Sequence, residues 1–148
     1  MASNGMRLKL CGSFRFAREM LALRDSISRH EVVIDQDLEY VAMHPEIKSS
    51  FDEQLALALK GDSLRKGFAQ IAASDGILVA NYDKGAIKGY VGPSVLMETA
   101  VAFHTGKKIF LLSDLDRKML KLKGGFFAEE SEFYENEKLL WFEWKQLM

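Results

Sequence analysis

One carboxylate, Glu98, stands in a stretch whose other residues are typical of a buried helix. The apolar residues around it are Leu96, Met97, Ala100, Val101 and Phe103. A lone carboxylate is costly to bury unless it is paired, hydrogen-bonded or protonated. Glu98 can therefore be a nucleophile or an acceptor for a sugar hydroxyl, or it can be a structural partner of Arg15 or Lys107. The residues alone leave these alternatives open.

A Gly-Ser turn, "CGSFR", follows the first apolar run and could bind an anion. Gly12 permits a tight turn and close approach of a ligand, and backbone N–H groups at a helix start attract negative charge. The Ser13 hydroxyl and the Arg15 guanidinium both suit a phosphate, with Phe14 between them. Gly-Ser turns follow many strands, so a purely structural turn is the alternative.

A Gly-rich loop, "NYDKGAIKGYVG", follows another continuous apolar run. It is long for a strand-to-helix connection, and such loops are often functional. Asn81, Tyr82 and Asp83 could hold a base or a sugar there, although the glycines could serve only as turns. Beyond the loop, Gly92 and Ser94 are predicted to lie beside the ligand, with Ser94 as the N-cap of the helix that carries Glu98.

Alternating apolar runs and helical spacings indicate the elements that position these residues. We predict strands over 6–12, 30–35, 76–81 and 107–112. We predict helices over 15–29, 51–61, 63–74 and 94–105, and a short one from Ser113 or Asp114 to Leu122. Ser49 or Ser50 and Asp62 or Ser63 are candidate caps, and Gly61 is expected to end a helix. Pro45 predicts a loop or lid over 36–50, with a helical turn at 38–43.

This alternation predicts an α/β fold in three layers, a flavodoxin-like doubly wound parallel sheet of four to five strands. We expect the strand order 2-1-3-4, with a possible fifth strand. Ligands of such sheets bind beyond the carboxyl ends of the strands, where the order reverses between strands 1 and 3. The Gly-Ser turn, the Gly-rich loop and Glu98 should therefore share one crevice.

The composition limits the kinds of partner that we expect for this protein. The 148 residues fit a single domain, and the formal net charge of −1 argues against a nucleic-acid polymer. The apolar runs are far shorter than the roughly 20 residues of a membrane span, and the first ten residues lack the apolar core of a signal peptide. A single cysteine fits the reducing cytoplasm, and the scattered histidines show no zinc-ligand spacing. We expect no metal and no cofactor.

The last segment, 124–148, is rich in aromatic residues: Phe126, Phe127, Phe133, Tyr134, Trp141, Phe142 and Trp144. It either supplies a last strand and helix to the fold or packs on a partner chain, and a helix is favoured over 129–136. So many aromatics are hard to hide on one small domain. We therefore expect a homodimer or a dimer of dimers that buries Trp141, Phe142 and Trp144.

Three segments resemble the nucleoside 2-deoxyribosyltransferase superfamily, which includes 2′-deoxynucleoside 5′-phosphate N-hydrolases. They are "LKLCGSFRFAREM", "ASDGILVANYD" and "METAVAFHTGKKIFLL", and the resemblance spans residues 6–113. The chain is more similar still to members that carry "NYDK…IKGY" before the glutamate. The resemblance implies a nucleoside or nucleotide substrate. It also implies Glu98 as the nucleophile at C1′, Ser13 and Arg15 on a 5′-phosphate, and a site beside a neighbouring subunit.

The chain departs from the family pattern at four positions. Gly67 stands where the family has a second carboxylate, and Lys9 where it often has an aromatic hydroxyl. Ser94 and Ala100 each replace a glycine. Without the second carboxylate, Asp83 is the nearest candidate to protonate the leaving base. Asp62 is a poorer one, and Asp75 is expected to be structural.

Three functional hypotheses follow. The first is an enzyme that acts on N-glycosidic bonds, which Glu98 favours. The second is a nucleotide-binding module that has lost turnover, which the missing second carboxylate favours. The third is an assembly protein whose aromatic tail is its main feature.

Overall fold

Five parallel strands form the sheet of this protein. The structure is a computed structural model and describes residues 5–44, 53–86, 88–113, 141–143 and 147, with the backbone alone for 36, 53–61 and 141–143. The strands are β1 (Arg7–Cys11), β2 (Glu31–Val33), β3 (Gly76–Val79), β4 (Lys108–Leu111) and β5 (Trp141–Glu143). The helices are α1 (Ala17–Ser26, after a 3-10 turn at Phe14–Phe16), α2 (Gln36–Met43), α3 (Glu53–Ala72) and α4 (Pro93–His104).

The strand order is β2-β1-β3-β4-β5, and every neighbouring pair is parallel. The order reverses between β1 and β3, where Leu8 pairs with Gly76 and Leu10 with Leu78. The predicted flavodoxin-like α/β fold is therefore confirmed. The aromatic tail supplies the fifth strand, while the helices predicted over 129–136 and up to Leu122 fall outside the described residues.

Helices cover both faces of the sheet, so side chains alternate between two cores. On one face, Leu8, Leu10, Leu78 and Phe110 pack with α1 and α2 through Met20, Leu23, Leu38 and Val41. On the other, Cys11, Ile77, Val79 and Ile109 pack with α3 and α4 through Ile71, Val95 and Ala102. Among the described residues, no helix has the length and apolarity needed to cross a membrane.

Several predicted boundaries were wrong. One continuous helix, α3, replaces the two predicted over 51–61 and 63–74. Gly61 and Asp62 lie inside it, because the helix penalty of a glycine, about 1 kcal/mol, is small beside tertiary packing. Ser63 is also internal, and its hydroxyl donates to Asp37 Oδ2 at 2.7 Å.

The first part of the predicted lid is a helix, α2. Asp35 is its N-cap and accepts the Asp37 N–H at 2.9 Å, which fixes the first turn. Pro45 and the candidate caps Ser49 and Ser50 lie outside the described residues. Asp75 accepts the Arg7 N–H at 2.8 Å, at the amino edge of the sheet, as expected for a structural aspartate.

Candidate active site

A cavity of about 320 Å³ lies at the carboxyl end of β1, near the point where the strand order reverses. That volume suits a small ligand. Its walls come from β1, the turn after it, α1, the N-cap and body of α2, α3, the loop after β3 and the start of α4. The residues used below are Lys9, Gly12, Ser13, Phe14, Arg15, Met20, Asp35, Ser63, Leu64, Lys84, Tyr90, Gly92, Ser94 and Glu98.

The predicted anion-binding turn lines this cavity, with Gly12, Ser13, Phe14 and Arg15 all in its wall. A Cβ at Gly12 would lie 2.8 Å from the end of the Met20 side chain and 3.3 Å from Ala80 Cβ, so the turn packs closely against the core. Ser13 is the N-cap of the 3-10 turn, and its hydroxyl accepts the Arg15 N–H at 3.4 Å. The close packing of Gly12 and this hydrogen bond therefore hold the turn in the wall of the cavity.

The start of α4 forms another part of the wall. Its N-cap is Gly92, with Pro93 as the first helical residue, so the predicted Ser94 N-cap is wrong. Proline favours the first helical position because its fixed φ suits the helix and it has no N–H to leave unpaired. Gly92 has no side chain that could cap the helix. Gly92, Ser94 and, in the second turn, Glu98 all line the cavity.

Glu98 is partly buried, and Cys11 Sγ donates a hydrogen bond to its Oε2 at 3.5 Å. Burial raises the pKa of the Glu98 carboxyl, and the charge of Asp35 adds to the rise, while Lys9 and the Cys11 hydrogen bond oppose it. Burial, followed by the charge of Glu98, raises the pKa of the Cys11 thiol. Lys107, the sequence-based alternative partner, donates instead to the Ala72 carbonyl at 3.3 Å.

Gly67 and Lys9 lie beside Glu98. A Cβ at Gly67 would lie 2.9 Å from Glu98 Oε2 and 3.9 Å from Lys9 Cε, so the glycine leaves room for the carboxylate. Lys9 is only 3% exposed and still lines the cavity. Its positive charge favours the ionised form of Glu98.

The structure does not bring Asn81, Tyr82 and Asp83 to this cavity. The Asn81 amide is 1% exposed and donates to the Ser113 carbonyl at 2.6 Å while accepting the Ser113 N–H at 2.9 Å. The Tyr82 hydroxyl donates to the Glu19 carbonyl at 3.1 Å, and Asp83 accepts the Gly89 N–H at 2.9 Å. These side chains fix the loop after β3, so the predicted shared crevice contains the Gly-Ser turn and Glu98 without them.

From the same loop, Lys84 and Tyr90 line the cavity, with the Lys84 ammonium 4.6 Å from the centre of the Tyr90 ring. The sequence predictions did not include either residue, nor Asp35. The position of Asp35, two residues after β2, which lies beside β1 in the strand order, could have identified it. Lys9 alternates with Leu8 and Leu10 along β1, a pattern that gives no such signal.

We expect Glu98→Gln to stabilise the fold at neutral pH. The folded-state pKa of Glu98 is raised, so its stabilising contribution is complete below the unfolded glutamate pKa, about 4.3, and is lost as the pH rises through the folded value. Thermal melts from pH 4 to 8 should show a variant more stable than the parent at high pH, with the gap closing at low pH. A difference in melting temperature that did not vary with pH would contradict the buried setting of this carboxyl.

Comparisons of the chain with protein-family models, with curated proteins and with solved structures found no match. A function has to be inferred from the cavity itself. The wall combines the cations Lys9, Arg15 and Lys84 with the carboxylates of Glu98 and Asp35, several hydroxyls and apolar side chains. Such a lining suits a ligand with an anionic end, a hydroxyl-bearing middle and a flat apolar part.

Proposed function

We propose that this protein cleaves the N-glycosidic bond of a 2-deoxyribonucleoside or its 5′-phosphate, by hydrolysis or by transfer to a second base. One observation carries the proposal: Glu98 and the Gly-Ser turn line the same cavity, at the sheet edge where doubly wound folds bind ligands. A carboxylate beside an anion-binding turn can reach the sugar of a nucleotide whose phosphate the turn holds.

In the proposed reaction, Glu98 attacks C1′ and the bond from C1′ to the base nitrogen breaks. The carboxylate becomes an ester of the sugar, and the base takes the bonding electrons and a proton. Water or a second base then attacks C1′ and releases the carboxylate. Retaining glycosidases divide a difficult displacement into two easier ones in this way.

Burial raises the pKa of the Glu98 carboxyl, so ionisation of this nucleophile depends on its neighbours. Lys9 and the Cys11 hydrogen bond both favour the charged carboxylate, against burial and Asp35. The Cys11 thiol is a weak donor on one oxygen, and weak hydrogen bonding leaves a carboxylate more reactive than a strong ion pair would.

The ends of a nucleotide match different parts of the wall. The Gly-Ser turn, with Arg15 and the uncapped start of α4, provides the setting for a phosphate. Phe14 and Leu64, both partly exposed, provide an apolar surface for a base. The sugar then lies beside Glu98, which lines the same cavity.

Arg15→Ala is expected to weaken nucleotide binding about tenfold to a hundredfold and to affect the matching nucleosides little, because a charge-assisted hydrogen bond contributes about 1.5–3 kcal/mol. Calorimetry with each nucleotide and its nucleoside measures the difference. Arg7→Ala is the matched control, since Arg7 lies at the amino end of β1 and pairs with Glu31 at 3.8 Å. Equal losses for both ligand classes would remove the phosphate contact from the proposal.

The activity is tested by incubating the protein with a panel of 2′-deoxynucleosides, ribonucleosides and their 5′-monophosphates. Mass spectrometry should detect free base from one or more 2-deoxy substrates. Adding a second base separates transfer from hydrolysis, because transfer yields the exchanged nucleoside. Absence of base release across the panel would overturn the proposal.

Gly67 favours a second candidate function, a nucleotide-binding module without turnover. No carboxylate stands at this position to assist the leaving base, and Asp83 is held by Gly89. Calorimetry beside the panel distinguishes the two functions: the module would bind a nucleotide at micromolar concentration without releasing base.

We also propose that the chain assembles as a homodimer or a dimer of dimers. β5 stands at the edge of the sheet, and Met97 on α4 is 44% exposed. Edge strands and apolar patches are common pairing surfaces. Light scattering at micromolar concentration should give at least twice the chain mass, and a mass of 16.8 kDa would contradict assembly.

A further inference from the structure

A buried lysine lies in the wall of the cavity. Lys9 sits in the middle of β1, between Leu8 and Leu10, and is 3% exposed. Buried charges in proteins are normally paired, because the desolvation of an unpaired charge is costly. Within the described residues the charge of Lys9 acts on Glu98, and the side chain lines the cavity, so a bound ligand can contact it.

Lys9 and Glu98 approach the same point from different elements. Glu98 Oε2 and Lys9 Cε both flank the space where Gly67 has no side chain, at 2.9 Å and 3.9 Å from the position of a Cβ there. That space is where the resemblance would place a second carboxylate. In this chain a lysine lies next to the space that Gly67 leaves open.

The proposed reaction needs a proton for the departing base, because an ordinary nucleobase is a poor leaving group as an anion. The sequence-based candidate, Asp83, is not in the cavity wall and accepts the Gly89 N–H. Asp35 is in the wall, but its carboxylate accepts the Asp37 N–H as the N-cap of α2. Lys9 carries protons and faces the cavity.

We propose that Lys9 is the catalytic acid of this site and protonates the leaving base, an inference that rests on the proposed glycosidic-bond cleavage. As Glu98 bonds to C1′, the electrons of the bond between C1′ and the base nitrogen pass to the base, and the Lys9 ammonium transfers one proton to it. The products of this step are the glycosyl ester of Glu98, the neutral base and a neutral Lys9 amine.

The second step returns the proton. The Lys9 amine accepts a proton from the water that attacks C1′, the ester bond to Glu98 breaks, and the sugar leaves with a new hydroxyl. The carboxylate and the ammonium are both restored, and no further reactant is needed. Lysine is an established acid–base group in enzymes, and general acid catalysis of this type contributes about 10²- to 10⁴-fold in rate.

The test compares Lys9→Met with the parent on two matched substrates. One is the 2-deoxy nucleoside or nucleotide that the parent cleaves best. The other is its counterpart whose base leaves without a proton, an N7-methylated purine or a pyrimidine with an electron-withdrawing group at C5. We expect Lys9→Met to lose about 10²-fold or more on the first substrate and less than about tenfold on the second.

Methionine matches the lysine stem in length and removes a buried charge, so the fold should persist, and Lys9→Gln is a second variant if it does not. Asp35→Asn tests Asp35 as the competing candidate for the catalytic acid. Equal losses of Lys9→Met on both substrates would overturn the acid role, as would leaving-group selectivity found in Asp35→Asn instead. A parent inert toward both substrates would overturn the proposed function itself and the role of Lys9 with it.

Discussion

Glutamine in place of Glu98 is expected to lower the rate of base release by about 10³-fold or more, while the fold stays intact. Glutamine keeps the size of the side chain and can still accept a hydrogen bond from Cys11, but it cannot form the glycosyl ester. Loss of an essential nucleophile commonly removes most of the catalysis, and the residual rate comes from binding alone. Base release on the best substrate of the panel measures the loss.

The matched control for this variant is Glu31→Gln. Glu31 begins β2 at the amino edge of the sheet and pairs with Arg7, with its side chain 52% exposed. The same chemical change there should leave the rate near that of the parent. Turnover of Glu98→Gln close to the parent's would reassign Glu98 to a structural role.

Gly67→Ala is expected to lower the activity without lowering the stability of the fold. The new Cβ would stand 2.9 Å from Glu98 Oε2, and the end of the glutamate side chain can move aside at little cost to the fold. Alanine also favours the interior of a helix over glycine by about 0.5–1 kcal/mol. The melting temperature should therefore hold or rise, while displacement of the nucleophile lowers the rate about 10²-fold.

Thermal melting and base release, measured on the same preparation, check this expectation. The melting temperature serves as the internal control, because a misfolded variant would lose both properties together. Parent-like turnover in Gly67→Ala would mean that the position of the Glu98 carboxylate does not govern the reaction.

The sheet could be predicted because several sequence patterns indicate the same arrangement of strands. The run from Gly76 to Val79 is buried on both faces, and only a central strand between two helical layers accommodates it. Alternation of strands and helices then leaves few topologies. The boundaries of helices were less predictable. Gly61 lies inside α3, because tertiary packing overrides its tendency to end a helix. Pro93 begins α4, one residue before the cap that the sequence predicted.

Part of the lining of the cavity was predictable. Glu98, a charge within an apolar run, and the Gly-Ser turn both line it, which the switch-point rule anticipates. Asn81, Tyr82 and Asp83 do not line it, because a strand end fixes the position of a residue along the chain and not the direction of its side chain. Their hydrogen-bond partners, Ser113, Glu19 and Gly89, are mostly distant in sequence.

The most direct test of the proposed chemistry is peptide mass analysis after rapid acid quench of the protein during turnover. A nucleophilic Glu98 predicts that the peptide containing it gains the mass of a 2-deoxyribosyl group, or of its 5-phosphate when the substrate is a nucleotide, and that Glu98→Gln shows no such gain. Base release without any sugar-bearing peptide, or with the sugar on another residue, would contradict the account.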